Sequence, residues 1–189
     1  AFDFGKISSD YAKYRDIYPH EFYKKIIDRN LCIKGQNILD LGTGTGVLPR
    51  NMYSYGGKWT GTDISENQIE KAKILSKGMD IEYYAYSAEE LDFHDNSFDV
   101  ITACQCFWYF DRENAINEIK RIIKPNGTFV KIYMSYILTD EIANESHKLV
   151  KKLNKNWTPG ASGSKDIYNH PFLNGEIETF ECNIPFTRE

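Results

Sequence analysis

Apolar residues along this chain come in two rhythms that take turns. NILDLG (37–42), KWTGTDI (58–64), IEYYAYS (81–87), FDVITACQCF (98–107) and TFVKIYM (128–134) are short runs rich in β-branched and aromatic residues. They read as buried strands, and the fourth is apolar on both faces. Stretches with helical spacing fall between them. FYKKIIDRNL (22–31) sets Phe22, Ile26 and Ile27 on one side and closes before Gly35. VLPRNMYSYG (47–56) follows the first strand. Ser65 to Gln68 fit a capping box, with Gln68 reaching back to the Ser65 amide, ahead of Ile69, Ala72 and Leu75 and a stop at Gly78. ENAINEIKRIIK (113–124) lines up Ile116, Ile119 and Ile123 before a Pro-Asn-Gly stop.

Strands alternating with helices of this length predict βαβ units. The expected fold class is α/β, a doubly wound, mostly parallel, Rossmann-like sheet with helices on both faces. Right-handed crossovers then put a ligand at the carboxyl ends of the strands. Beyond Met134 the pattern changes to a helical run (140–155), a turn-rich stretch (157–175) and a strand-like EIETFECNIPF (176–186). The expected organisation is one domain. Residues 1–34 lead in, residues 35–134 form the ligand-binding core, and residues 135–189 form a lid-like insertion with a sixth strand. That strand ends with nothing to pair it, so we expect residues to be missing beyond Glu189 and the final strand pair to be incomplete.

Chemistry gathers at the predicted strand ends. Gly42, Gly44 and Gly46 form a GxGxG turn, but Val47 stands where a dinucleotide fingerprint would put its third glycine. Asp40 lies just ahead of the turn, where a carboxylate repels a pyrophosphate and attracts an ammonium group. Asp63 ends the second strand, a position from which an acid takes both hydroxyls of a ribose. Ser87 and Glu89, past the third strand, can face an adenine edge and its amine. Acids on three successive strand ends suit a ligand with a ribose, an adenine and a cationic amino-acid tail.

Composition narrows the partners. The 189 residues are 41% hydrophobic and 26% charged with a formal charge of −4, which gives no electrostatic reason to expect nucleic acid or anionic membrane. No apolar run is long enough to span a bilayer. Cys32, Cys104, Cys106 and Cys182 form no CxxC pair. Cys104 and Cys106 read as small fillers on one face of the fourth strand, and cytoplasm is the default compartment. The four histidines are scattered, and no metal site is expected.

In order and spacing, ILDLGTGTG, GTDIS, SAEELDF, FDVITACQCFWYFD and KRIIKPNGTFVKIY resemble the successive motifs of class I S-adenosylmethionine-dependent methyltransferases. The likeness is to the small-molecule branch with the type 11 methyltransferase domain, over roughly residues 11–134. It implies S-adenosyl-L-methionine as cofactor and S-adenosyl-L-homocysteine as product. Gly42, Thr43, Gly44 and Gly46 would pass under the ligand, with Asp40 at its amino group. Asp63 would take the ribose, Ile64 and Gln68 would lie beside the adenine, and Ser87, Ala88 and Glu89 would line its pocket. Gln105 would sit by the methionine moiety and the methyl group. Tyr11, Tyr14 and Arg15 would belong to a covering helix, with Arg15 pairing with the methionine carboxylate.

Trp108 stands where many relatives carry a histidine, so the usual candidate base is absent. Trp108 and Tyr109 join Gln105 as candidates near the methyl group, as an aromatic cage for a cation or as cover for the sheet end. The expected activity is transfer of a methyl group by in-line displacement to a small-molecule acceptor, without nucleic acid or membrane as partner and with oligomeric state open. The alternatives are a non-catalytic S-adenosylmethionine-binding module and, against Val47 and Asp40, an NAD-dependent oxidoreductase.

Overall fold

The structure is a computed structural model that describes residues 18–137, 139–157 and 175–184. They fall into two compact units, one holding the described residues up to Lys131 with 179–184, the other those between Ile132 and Glu178.

The first unit is built on a five-stranded sheet. In chain order its elements are α1 (His20–Ile27), β1 (Asn37–Leu41), α2 (Val47–Met52), β2 (Lys58–Thr62), α3 (Glu66–Leu75), β3 (Ile81–Tyr84), β4 (Phe98–Cys104), α4 (Arg112–Ile122) and β5 (Ile123–Ile132). The strands lie in the order β3-β2-β1-β4-β5. β1 pairs in parallel with β2 on one side and β4 on the other, and β2 pairs in parallel with β3. β1 is therefore central, and Ile38, Leu39 and Leu41 are fully buried. A strand covered on both faces needs no alternation, which is why its apolar run is nearly continuous.

The helices follow the expected periodicity with shifted ends. α1 starts and stops early, buries Phe22, Tyr23 and Ile26, and gives way to left-handed turns at Asn30 and Cys32. α2 is only six residues long and passes into a 3-10 turn, Tyr53–Tyr55. α3 buries Ile69 and Ala72 but leaves Leu75 exposed. α4 packs Ala115, Ile119 and Ile122 rather than Ile116 and Ile123. It stops at Ile122, and β5 begins at once. Pro125 disfavours helical geometry in the residue before it, so the chain is already extended there.

Three expectations are corrected. Ser65 sits at the N-cap of α3, but its side chain makes no capping bond and the capping box does not form. Asp63 Oδ1 accepts the Ser65 N–H instead, at 2.9 Å, so the carboxylate at the strand end does the capping work. The fourth strand stops at Cys104, because Gln105 has φ +58° and turns the chain out of the sheet. Cys106 therefore lies beyond β4 rather than beside Cys104 on one strand face. Of the segment expected as a sixth strand (176–186), residues 176–184 are described and carry no strand pairing.

Arg121 ties α4 to the segment after β3. Its guanidinium donates to Glu118, to Asp95 and to the carbonyls of Leu91 and Phe93, while Glu118 accepts the Leu91 N–H at 2.9 Å. The segment it fixes follows directly from Ser87 to Glu90. In the second unit, α5 (Glu141–Leu153) is capped by Asp140, whose carboxylate accepts the Ala143 N–H at 2.8 Å. No helix among the described residues is long and apolar enough to cross a membrane.

Candidate functional site

The order of the sheet decides where a ligand can sit. The crossover from β1 leads to β2 on one side, and the later strands return to β4 on the other. The strand order thus reverses at β1, which opens a crevice at its carboxyl end. The carboxyl ends of β3, β2, β1 and β4 are neighbours there. They carry Ser87 to Glu89, Asp63, Asp40 with the glycine turn, and Gln105 in that spatial order.

The glycine turn is shaped by its backbone. Gly42, Gly44 and Gly46 have φ of +60°, +56° and +75°, a region L side chains rarely adopt. A Cβ on Gly42 would fall 2.8 Å from Cβ and Sγ of Cys106, and one on Gly46 would overlap the Tyr83 ring. Cys106 is anchored in turn by its thiol, which donates to the Leu41 carbonyl at 3.1 Å. The Tyr83 hydroxyl shares a hydrogen bond with Ser76 Oγ at 2.9 Å. Replacement of Gly46 by alanine combines left-handed strain with overlap against a fixed ring. We expect it to destabilise the fold by about 2–4 kcal/mol, read from urea denaturation. An unchanged midpoint would contradict the close packing of turn on ring.

Asp63 is the post around which the turn is set. Oδ2 accepts the Gly44 N–H at 3.0 Å, and Oδ1 accepts the Ser65 N–H at 2.9 Å. Burial raises its pKa, and these two backbone bonds oppose the rise. A carboxylate offers about four lone-pair sites, so accepting capacity for two ribose hydroxyls remains. Ile64 beside it is exposed, as an apolar contact for a ring would be, and Gln68 is buried on α3.

Asp40 is 2% exposed. It stands in register with Thr102 of β4, whose hydroxyl donates to Oδ1 at 2.6 Å. Burial pushes its pKa up to about 6, against the hydrogen bond from Thr102, with Asp63 adding to the rise. No cation among the described residues enters this balance. The donor set therefore fits a ligand that brings a positive charge and disfavours one that brings a phosphate.

The end of β3 is built as a latch. Ser87 Oγ donates to Glu89 Oε2, and Glu89 Oε1 accepts the N–H of Asp111 at 2.7 Å. Asp111 is the N-cap of α4. Glu89 thus joins the expected adenine loop to the start of α4. Ala88 is buried between them, and an open cleft beside the loop is lined by Ala85, Tyr86, Ser87, Glu90, Leu91 and Asp92.

Gln105 holds its left-handed conformation at the tip of β4. The next residues form a 3-10 turn, Phe107–Tyr109, in which Phe107 is buried while Trp108 and Tyr109 are exposed, with ring centroids 5.4 Å apart. Among the described residues no group of three or more histidine, cysteine or acidic side chains could hold a metal ion. Tyr11, Tyr14 and Arg15 lie outside the described residues. Sequence reasoning missed Thr102, Cys106 as the floor of the glycine turn, and Tyr83 beneath Gly46. Each acts through cross-strand register or chain reversal, which no local pattern reports.

The doubly wound sheet, the reversal at β1 and the glycine turn flanked by strand-end acids define an α/β protein of the Rossmann-like class. Residues 39–131, about half the chain, match the methyltransferase domain family. A protein of Dictyostelium discoideum named as a methyltransferase is 30% identical over 87% of this chain and 63% of its own length. A demethylmenaquinone methyltransferase of Thermotoga maritima is 29% identical over 83% of this chain and 69% of its own. In fold, the crystal structure of an S-adenosyl-L-methionine-dependent methyltransferase from Methanococcus maripaludis aligns with TM-score 0.63, over 81% of this chain and 72% of that one, at 20% identity. The chain belongs to the class I S-adenosylmethionine-dependent methyltransferase family. It spans about half to two thirds of the length of the first relatives it matches.

Proposed function

We propose that the protein transfers a methyl group from S-adenosyl-L-methionine to a small-molecule acceptor by in-line displacement, releasing S-adenosyl-L-homocysteine. The observation that carries this reading is the row of acids on neighbouring strand ends: Asp40, Asp63 and Glu89 around a turn with no side chains at Gly42, Gly44 and Gly46. Asp63 would hold the ribose hydroxyls while still pinning Gly44. Asp40 would draw the ammonium group of the methionine tail. Ser87, Ala88 and Glu89 would meet the adenine, with Ile64 and Gln68 beside it and Thr43 in the turn.

The sulfonium of the cofactor supplies a methyl group that is already activated. Alignment and exclusion of water are then the main tasks of the protein, and good positioning alone contributes several kcal/mol, on the order of 7–11 in the best cases. Gln105, Trp108 and Tyr109 are the side chains we assign near the methyl group. Exposed aromatic faces there attract a cation and cover the mouth of the site. No histidine stands at position 108, so the reading requires no base from this turn. A small acceptor is favoured by the relative named demethylmenaquinone methyltransferase and by the charge of −4, which speaks against nucleic acid. The division into a lead-in (1–34), a core (35–134) and a lid-like segment (135–189), and a cytoplasmic location, belong to the same proposal.

Titration calorimetry with S-adenosylhomocysteine, followed by a labelled-methyl screen on metabolite extracts, tests it. Binding together with label transfer to a small molecule is the expected result. Absence of cofactor binding would sink the whole reading. Binding without transfer would leave a module that senses the cofactor and would refute catalysis.

A further inference from the structure

Thr102 is a fully buried hydroxyl residue in β4, two residues before the strand ends. It stands beside Asp40 across the β1–β4 ladder, and its hydroxyl lies 2.6 Å from Asp40 Oδ1 with the Leu39 carbonyl at 3.4 Å. A hydroxyl in this position can give its proton to the carboxylate and only weakly to the carbonyl. It therefore favours the ionised acid and fixes which oxygen faces β4. We propose that Thr102 is a positioning residue for the cofactor site, holding the Asp40 carboxylate ionised and in place at the foot of the glycine turn so that the site recognises the ammonium group of the methionine tail.

The surroundings explain why such a donor is needed. The other groups facing Asp40 are the Thr43 hydroxyl from the glycine turn, Asp63 after β2, Tyr83 from β3, Cys32 ahead of β1 and Cys106 after β4. None of these carries positive charge. An acid ringed by neutral and acidic groups takes up a proton unless hydrogen bonds to its charged form prevent it. Thr102 supplies such a bond from within the protein. The ligand's ammonium group would complete the balance on binding. The inference rests on the proposed function, because it takes S-adenosylmethionine as the ligand.

The test is the pH dependence of S-adenosylhomocysteine affinity, measured by calorimetry from about pH 5 to 7.5, where the ligand's amino group stays protonated. In the wild type, affinity should rise with pH and level off above about 6, as Asp40 ionises. In Thr102→Val the rise should move upward by about one pH unit, which makes binding roughly fivefold weaker at the wild-type midpoint and approaches tenfold below it. Thr102→Ser should restore the wild-type profile. A folded Thr102→Val protein with an unmoved profile would overturn the proposal, since a merely structural role leaves the midpoint where it was. If Thr102→Val does not fold, the Asp40→Asn/Thr102→Val pair decides. Recovered folding shows that the undonated charge was the fault, and failure to recover overturns the proposal. Failure of the wild type to bind at any pH would instead refute the proposed function, and this inference with it.

Discussion

Asp63→Ala is expected to weaken S-adenosylmethionine binding by roughly 100-fold, the largest loss of affinity from any single change at the site. Two ribose hydroxyls bound to a carboxylate contribute about 1.5 kcal/mol or more each, and together they correspond to about that factor. The same carboxylate accepts the Gly44 and Ser65 N–H groups. Its removal therefore also frees two backbone donors and loosens the turn that the ligand lies on. Loss of the capping bond alone costs about 1 kcal/mol of stability. The two effects separate experimentally. Thermal melts of the ligand-free protein report the scaffold, and calorimetry with S-adenosylhomocysteine reports the ribose contact. A variant with a lowered melting temperature and unchanged affinity would confine Asp63 to the scaffold.

The sheet was legible because its core strands are buried on both faces. Ile38, Leu39 and Leu41, or Val100, Ile101 and Ala103, need no partner to reveal what they are. Element ends were less legible, for reasons that lie in single residues. α4 stops at Ile122 because Pro125 biases the backbone ahead of it, and β4 stops at Cys104 because Gln105 turns left-handed. A glutamine carries no intrinsic signal for positive φ, so the strand seemed to run on through Cys106. The Ser65 capping box failed for a different reason. A stronger acceptor, Asp63, already lay within reach of the Ser65 amide.

At the site, the acids could be found because their positions follow from where strands end. Asp40, Asp63 and Glu89 lie at three neighbouring ends. What the sequence could not reveal is what each acid already holds. Asp40 looked like an open charge beside the turn, whereas it is buried against Thr102. Glu89 reads as an adenine contact, and the fold shows that it also grips the N–H of Asp111 at the start of α4. Both partners arrive from β4 or just after it, far along the chain, so only the folded register shows them. The consequence is mechanical. The turn carrying Trp108 and Tyr109 leads straight into Asp111, so the loop assigned to adenine and the aromatic turn assigned to the acceptor share one carboxylate.

Asp40→Asn is expected to act in opposite directions on stability and on binding. The folded protein raises the pKa of Asp40 to about 6 by burial, whereas in the unfolded chain it is about 3.9. The folded state thus holds the proton more tightly. Ionisation of Asp40 erodes stability progressively as pH rises from about 4 to about 6, and above that the penalty is complete. Two units correspond to roughly 3 kcal/mol at most. Asparagine keeps the shape and an oxygen for the Thr102 hydroxyl but has no charge to bury. At neutral pH the ligand-free variant should therefore be more stable than the wild type by about 2 kcal/mol, and the gap should close as pH falls towards 4. Its affinity for S-adenosylhomocysteine should fall by about tenfold or more, because the ammonium group loses its counter-charge in a poorly solvated site. Paired urea denaturation and calorimetry at about pH 4.5 and 7.5 check both halves. A variant that is less stable at neutral pH, or whose stability difference ignores pH, would contradict the buried-charge account of Asp40. A stabilised variant with full affinity would detach Asp40 from the cofactor. The expected pattern, stability gained and binding lost, is that of an acid kept at a structural cost for the ligand it receives.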